Sequence, residues 1–198
     1  MSTLAKIFFF KSRNQSGGRG IFKVQIDTGL ESLVSKKPDS FHRISYAQLK
    51  EIWNSRNSNF TDFFLEREAV GPEYTVDIFI GETKQLFIPR KRLLIRNGIS
   101  QINLIEHKYS LIEVSKNLTS LLGLKGLFGL QFIEISNDKY ALLECNPRLQ
   151  GTNIASILAG SNLIEYAIKS TLEIDYKVLP PRWNSIFRRE SIGTIEFL

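Results

Sequence analysis

The chain has 198 residues, of which 42% are apolar and 11% are aromatic, and its formal charge is +6. A chain of this length buries about 70% of its unfolded surface, so it needs neither disulfides nor a structural metal to fold. One cysteine and two histidines exclude an internal disulfide and a Cys/His zinc site, and no apolar run approaches the ~18 residues of a membrane helix. We expect one or two domains in the reducing cytoplasm, without membrane contact.

The excess positive charge lies in the first third of the chain. Residues 1–60 hold ten Lys/Arg and four Asp/Glu, whereas residues 61–198 hold 16 of each. This distribution suits a local anion site as well as a nucleic-acid surface. Because no basic helix and no aromatic-studded ribonucleoprotein motif accompanies it, nucleic-acid binding is the less favoured interpretation.

Apolar periodicity predicts strands that arrive in hairpins with helices between them. The predicted elements are strand 6–10, strand 21–26, helix 30–35, helix 46–53 capped by Ser45, strand 63–68, strands 74–80 and 85–90 around a turn at 81–84, helix 109–122 ended by Gly123, strands 127–135 and 140–145 around a turn at 136–139, helix 153–170, and a strand pair or edge ribbon within 180–198. This order indicates α+β architecture with a mostly antiparallel sheet rather than a doubly wound one. The apolar strand so near the start leads us to expect further structure upstream of it.

The most informative stretch runs from Gly129 to Arg148. Asn137-Asp138 fits a two-residue hairpin loop, which pairs residue 136 with 139, 133 with 142 and 131 with 144. Gln131 then lies directly across from Glu144, and Asn146 projects on the same side as Glu144. One carboxylate and two amide carbonyls are hard ligands suited to Mg²⁺ or Mn²⁺ that takes its other oxygens from phosphates. The alternative is a half-exposed hairpin whose polar residues face water.

A polar loop, Lys11 to Gly20, follows the first strand and contains three glycines, two serines and three cations. Glycine permits positive φ, so consecutive backbone N–H groups can turn toward a phosphate, and the lysine supplies a positive charge. No Gly-Lys-Ser/Thr closes the loop, so it is not a Walker motif. By itself such a loop is also typical of a solvated connector.

A tight connection joins the predicted strands 63–68 and 74–80, and three acids bracket it: Glu66, Glu68 and Glu73. Backbone groups of such a connector can read a nucleotide base, and a carboxylate can accept hydrogen bonds from ribose hydroxyls. The alternative is a surface hairpin with ordinary charges.

Taken in order, these three motifs resemble the ATP-grasp superfamily, in particular its carbamoyl-phosphate-synthetase-like and D-alanine:D-alanine-ligase-like branches. They are the lysine with its glycine-rich loop, the hinge that ends Gly71-Pro-Glu-Tyr-Thr-Val-Asp77, and the Gln131…Glu144-Cys-Asn-Pro-Arg148 hairpin. The resemblance covers roughly residues 6–170. It implies an ATP-grasp-like fold with part of a small α+β lobe and the phosphate loop in residues 1–68, and a C-terminal lobe with the metal site in residues 69–198.

The resemblance also implies which residues would bind the nucleotide. Lys11 would contact the α and β phosphates of ATP. The loop that closes over the phosphates would include Ser16, Gly17, Gly18 and Gly20. Glu66 would lie by the adenine, the backbone near Glu68 and Ala69 would read the base, and Glu73 would hold the ribose.

Further residues would serve the metal and the transferred group. Gln131 and Glu144 would bind one Mg²⁺ (or Mn²⁺), and Glu144 would bridge to a second ion that Asn146 also ligates. Arg148 would steady the phosphoryl group or the acyl-phosphate. Arg90 and Arg92 share a strand face, and either could supply a cation near the γ-phosphate.

The chemistry that the resemblance implies is an ATP-dependent ligation in two steps. A carboxylate attacks the γ-phosphate to give an acyl-phosphate, and an amine or ammonia then displaces phosphate. The alternative is a catalytically inactive ATP-binding module with a regulatory or assembly role. Members of the superfamily normally carry an N-terminal α/β substrate domain, so we expect either a partner chain that supplies it or a homo-oligomer.

Overall fold

Residues 7–13, 21–26, 42–55, 63–96 and 98–190 are described by the structure, which is a computed structural model. The chain divides into two units, unit 1 (Met1–Ala69) and unit 2 (Val70–Leu198). Within the described residues, no helix has the length and apolar character needed to cross a membrane. The predicted helix 30–35 lies outside the described residues.

Unit 1 contains a four-stranded sheet and one helix. Its elements are β1 (Ile7–Ser12), β2 (Ile21–Gln25), β3 (His42–Ser45), α1 (Tyr46–Ser55) and β4 (Phe63–Arg67). The strand order is β3-β2-β1-β4, and only the β2–β3 pair is parallel. The core of this unit is built on Phe10, Val24 and Leu49.

The start of α1 follows from its sequence. Ser45 Oγ accepts a hydrogen bond from the Gln48 N–H (3.1 Å), and the Ser45 N–H donates to Gln48 Oε1 (2.8 Å). This reciprocal arrangement is a capping box, which satisfies two backbone donors that helix geometry leaves without partners. The predicted cap at Ser45 is therefore confirmed.

Unit 2 is built on a six-stranded antiparallel sheet in the order β10-β7-β6-β5-β8-β9. Its elements are β5 (Glu73–Ile80), β6 (Gln85–Arg96), β7 (Ile99–Ile105), α2 (Tyr109–Leu121), β8 (Gly126–Ser136), β9 (Lys139–Asn146), α3 (Ile154–Leu158), α4 (Leu163–Thr171) and β10 (Ser185–Arg188). The molecule is thus of mixed α+β class and is dominated by antiparallel sheet, as predicted.

Alternation along the strands divides the side chains of unit 2 between two cores. One face of the sheet carries Tyr74, Val76 and Ile78, which pack with Leu111 and Ile112 of α2. The opposite face is apolar at one end only, where residues of the sheet pack with α3 and α4. At its other end the same face carries polar side chains, and the candidate site is built from them.

One predicted helix differs from the structure, and the predicted C-terminal ribbon falls partly outside the described residues. The predicted helix 153–170 is two helices, because Gly160 adopts a positive φ of 105° and the Asn162 side chain then caps α4 by accepting from the Glu165 N–H (3.2 Å). The predicted ribbon in 180–198 is a single described strand, β10, on the edge next to β7. Residues 191–198 lie outside the described residues.

The predicted register of the β8–β9 hairpin is correct at two of three positions. Ser136 pairs with Lys139 and Gln131 with Glu144, but Ile133 pairs with Ala141 instead of residue 142. Irregularities between Glu134 and Ser136 and between Gln131 and Phe132 shift the register and then restore it. The prediction at residue 133 was wrong because a bulge adds an unpaired residue to one strand only.

Candidate functional site

The end of the β8–β9 hairpin brings together the three predicted metal ligands. Gln131 of β8 lies directly opposite Glu144 of β9, and the register continues without a shift to Gly129 opposite Asn146. Glu144 and Asn146 therefore project from the same face of the sheet as Gln131. Glu144 is exposed, whereas Asn146 is only 8% exposed.

These side chains make a donor set with a single carboxylate. Among the described residues, no three or more His, Cys, Asp or Glu side chains are grouped so that they could hold a metal ion. One carboxylate and two amide carbonyls still fit a hard divalent cation, provided that water or phosphate oxygens complete its coordination. The arrangement suits an ion that arrives with a phosphorylated ligand better than a permanently bound ion.

Arg92 connects this hairpin to the start of β5. Its Nη1 donates to Glu73 Oε2 (2.8 Å) and to Gln131 Oε1 (3.3 Å), and its Nη2 donates to the Gly98 carbonyl (2.7 Å). Burial lowers the pKa of the Arg92 guanidinium, while the nearby Glu73 carboxylate opposes that shift. An arginine nevertheless keeps its charge in proteins. Glu73, Gln131 and Arg92 thus form one hydrogen-bonded group.

Arg90 lies two residues earlier on the same strand, but it is engaged differently. Its Nε and Nη2 bind both carboxylate oxygens of Asp77 (2.7 and 2.8 Å), and Nη1 donates to Asn103 Oδ1 and Thr152 Oγ1. Ser156 Oγ also donates to Asp77 Oδ2 (2.6 Å). Because the Arg90 side chain is 0% exposed, its guanidinium is held within the fold and Arg92 is the better candidate for contact with a ligand.

Cys145 lies between the predicted ligands Glu144 and Asn146 on β9, and Arg148 lies in the loop after the strand. Arg148 is exposed, and its Nη1 donates to the neighbouring Leu149 carbonyl (3.0 Å), which leaves the guanidinium at the surface. Burial raises the pKa of the Cys145 thiol, and the adjacent Glu144 carboxylate adds to the shift. Cys145 therefore lacks the lowered pKa of a nucleophilic cysteine.

The loop after β9 carries buried amides that the sequence did not single out as a site. Gln150 Nε2 and both amide atoms of Asn153 are buried and have no hydrogen-bond partner among the described residues. A Cβ atom at Gly129 would come within 2.6 Å of the Gln150 amide, so Gln150 packs against the bare backbone of β8. Buried amides without partners are unusual and are typical of places where a ligand or water completes the hydrogen bonding.

In unit 1, one face of the sheet carries predicted nucleotide-binding residues. Lys11 Nζ forms an ion pair with Glu66, and Lys23 Nζ forms one with Glu68 Oε1 (2.6 Å). Both lysines lie over the ring of Phe9, at 5.6 and 5.9 Å from its centroid. Lys23 and Phe9 were not among the predicted residues, although strand alternation places Phe9 on the same face as Lys11.

Five predicted nucleotide-binding residues remain. Ala69 follows β4 as the last residue of unit 1. The residues predicted to close over the phosphates lie outside the described residues: Ser16, Gly17, Gly18 and Gly20.

Residues 59–193 match the model of a protein family that is described as ATP-grasp in the biosynthetic pathway with Ter operon. This match covers more than half of the chain. No curated protein matches the chain.

Solved structures with the same fold include three nucleotide complexes. Biotin carboxylase from Campylobacter jejuni, as a β,γ-ATP complex, has a TM-score of 0.59 at 18% identity and covers 89% of this chain and 38% of its own. N5-carboxyaminoimidazole synthetase from Staphylococcus aureus with ADP has a TM-score of 0.62 at 17% identity and covers 94% and 45%. The biotin carboxylase domain dimer of 2-oxoglutarate carboxylase from Hydrogenobacter thermophilus, with MgADP, ADP and bicarbonate, has a TM-score of 0.60 at 15% identity and covers 91% and 40%.

At sequence identities of 15% to 18%, the similarity to these structures shows that the chain has the same fold and nothing more. The chain spans about two fifths of the length of the solved structures, between 38% and 45% of each.

Proposed function

The chain belongs to the family described as ATP-grasp in the biosynthetic pathway with Ter operon, and from this membership we propose that it acts in the cytoplasm in an ATP- and Mg²⁺-dependent ligation of a carboxylate to an amine or ammonia. The carboxylate would attack the γ-phosphate, releasing ADP and forming an acyl-phosphate. The amine would then attack the acyl carbon and release phosphate, which forms the C–N bond. The proposal that the chain binds ATP is supported by its fold similarity to proteins whose structures were solved with bound nucleotides.

One observation carries the proposal. Gln131 and Glu144 face each other across the hairpin, Asn146 shares their face, and Arg92 with Glu73 lies beside them. Gln131, Glu144 and Asn146 would hold Mg²⁺, which when bound neutralises negative charge on the phosphates. The proposal includes a second ion, which Glu144 and Asn146 would share.

The chain's own cations have distinct proposed tasks. Arg92 is held beside the metal ligands by its ion pair with Glu73 and its bond to the Gly98 carbonyl, so its guanidinium is already positioned to hold a phosphate oxygen. Arg148 is exposed and is proposed to orient the phosphoryl group as it is transferred. In unit 1, Lys11 is proposed to contact the α and β phosphates, with Glu66 near the adenine.

Calorimetry and product assays test the proposal. We expect the chain to bind ATP in the presence of Mg²⁺, and E144Q to weaken that binding and to lower any turnover at least ~100-fold. E82Q is the matched control, because it makes the same change in the exposed turn at the far end of β5. ADP and phosphate release would be measured over a panel of carboxylates and amines.

The outcomes separate the two functions that the fold allows. Absence of binding at millimolar ATP, with and without Mg²⁺, would contradict nucleotide binding of either kind. Binding without ADP release over the whole panel would identify the chain as an ATP-binding regulatory or assembly module. Turnover that is equal in E144Q and E82Q would exclude Glu144 from the site.

A further inference from the structure

The guanidinium of Arg92 places a positive charge directly beside Gln131, one of the predicted metal ligands. Its guanidinium binds Glu73 Oε2 and Gln131 Oε1 through the same nitrogen, Nη1. The side chain of Arg92 is only 8% exposed, and that of Glu73 is 34% exposed. Without a bound ion, Arg92 therefore supplies the positive charge beside these two side chains.

The contact with Gln131 matters because an amide offers a single oxygen to a metal. That oxygen is Oε1, and it accepts the hydrogen bond from Arg92. A divalent ion on the same oxygen would lie close to the guanidinium, and like charges repel strongly where water is partly excluded. The oxygen has two lone pairs, so the competition would come from charge, because an ion and the guanidinium on the same oxygen would repel each other.

The bonding of Arg92 allows it to release Gln131. Its bond to Gln131 is the longest of its three at 3.3 Å, and its Nε is buried with no hydrogen-bond partner among the described residues. Arg90 is the contrast, because two parallel bonds join it to Asp77 and its side chain is fully buried. Arg92 keeps donor capacity that a phosphate could use, since guanidinium binds phosphate through two parallel hydrogen bonds.

We propose that Arg92 is an internal competitor of the metal ion: it occupies Gln131 in the nucleotide-free protein and releases it when nucleotide phosphates bind the guanidinium. This inference rests on the metal site of the proposed function. Its consequence is an order of binding, in which the ion enters this site together with a nucleoside di- or triphosphate. Arg92 is thus a positioning residue for the metal.

Manganese binding to the full chain, measured by electron paramagnetic resonance, tests the proposal without any turnover. In the absence of nucleotide, we expect R92M to bind Mn²⁺ at least tenfold more tightly than the wild type. With saturating ADP, the two proteins should differ by less than threefold, because the phosphates already engage Arg92 in the wild type.

K91M is the matched control for charge alone. It removes a cation from the neighbouring position, whose side chain points to the other face of the sheet, and leaves the bond between Arg92 and Gln131 intact. We expect its Mn²⁺ affinity to stay within twofold of the wild type. The advantage of R92M should persist in 0.5 M KCl, where general charge repulsion is screened.

A measurement on the wild-type chain avoids any dependence on how the variants fold. The side-chain amide resonances of Gln131 should stay in place when Mg²⁺ alone is added and should shift when Mg²⁺ and ADP are added together. A shift with Mg²⁺ alone at low millimolar concentration would contradict the competition.

The remaining outcomes separate this inference from the proposed function. Equal Mn²⁺ affinity of R92M and the wild type without nucleotide would overturn the role of Arg92 and leave the metal site standing. An equal gain in K91M and R92M would reduce the effect to general electrostatics and would also overturn it. Failure of both proteins to bind Mn²⁺, with and without ADP, would overturn the metal site and the inference together.

Discussion

A fully buried ion pair stands next to the candidate site. Asp77 is 1% exposed and receives two hydrogen bonds from Arg90 and one from Ser156. A buried charge is tolerable only while its partner is present, because desolvation of the lone charge is not compensated. Asp77 therefore holds Arg90 in place, and through Thr152 Arg90 also fixes the loop after β9.

We expect D77N to destabilise the fold by about 3 kcal/mol or more, because it leaves the Arg90 guanidinium buried without a countercharge. Urea unfolding followed by circular dichroism would measure this loss. D175N is the matched control, since the Asp175 side chain is fully exposed and pairs with Lys84 at the surface. A midpoint for D77N equal to that of D175N would show that the Asp77–Arg90 pair contributes nothing.

At the scale of elements, Lys108 at the start of α2 is tied to the β8–β9 hairpin. Lys108 Nζ pairs with Glu134 Oε1 (3.0 Å), and Glu134 Oε1 also accepts from the Asp138 N–H (3.3 Å). Desolvation by itself would raise the pKa of Glu134, but the hydrogen bonds from Lys108 and Asp138 outweigh it, and the pKa is lowered from its ordinary value of 4.5. The hairpin that carries Gln131 and Glu144 is anchored at its turn by this group.

The lowered pKa makes part of the stability dependent on pH. A carboxyl group whose pKa is lower in the folded state stabilises the fold above its unfolded pKa, and the contribution is lost as the pH falls through the folded value. We therefore expect the free energy of unfolding to fall less in E134Q than in the wild type as the pH is lowered below 4.5. Urea unfolding at a series of pH values would measure the slope.

E82Q serves as the control for the pH series, because it removes a carboxylate from an exposed turn of the same sheet. Its curve should follow that of the wild type. Parallel curves for E134Q and the wild type would mean that the Lys108–Glu134 contact does not contribute to acid stability.

Local signals decided which parts of the site could be predicted. The turn at 136–139 has a defined length, so the pairing of Gln131 with Glu144 could be derived from it. The bulge between the turn and this pair has no sequence signature of its own, and the pairing of Ile133 was therefore missed. Gly160 and Asn162 are a glycine stop and a helix cap, which mark the break between α3 and α4. The prediction overlooked them because apolar residues continue at helical spacing on both sides of the break.

The contact between Arg92 and Glu73 was also within reach. The turn at 81–84 pairs Tyr74 with Lys91, which places Arg92 across from the preceding residue, Glu73. Its contact with Gln131 requires the order of three strands, β6-β5-β8, and no local pattern specifies which strands become neighbours. The contact between Arg92 and Gln131 therefore could not be predicted from the sequence.

The two units differ in the size of their cores. In unit 2, β5 lies between β6 and β8, and its buried side chains belong to clusters on both faces of the sheet. In the described part of unit 1, three buried side chains make the centre of the core. Elements with fewer buried contacts open at lower free energy.

We expect amide hydrogens of β5 and β8 to exchange at least tenfold more slowly than those of β1 and β2, which corresponds to about 1.4 kcal/mol of opening free energy. Hydrogen exchange with mass spectrometry at neutral pH would measure the difference. Equal protection in the two units would mean that the chain opens only as a whole.

The contact of Gln150 with the bare backbone at Gly129 couples the loop after β9 sterically to strand β8. A methyl group at 129 would come within 2.6 Å of Gln150 Nε2, so an alanine there would displace the Gln150 side chain. The lack of a side chain at 129 is therefore what allows the amide of Gln150 to lie against the strand.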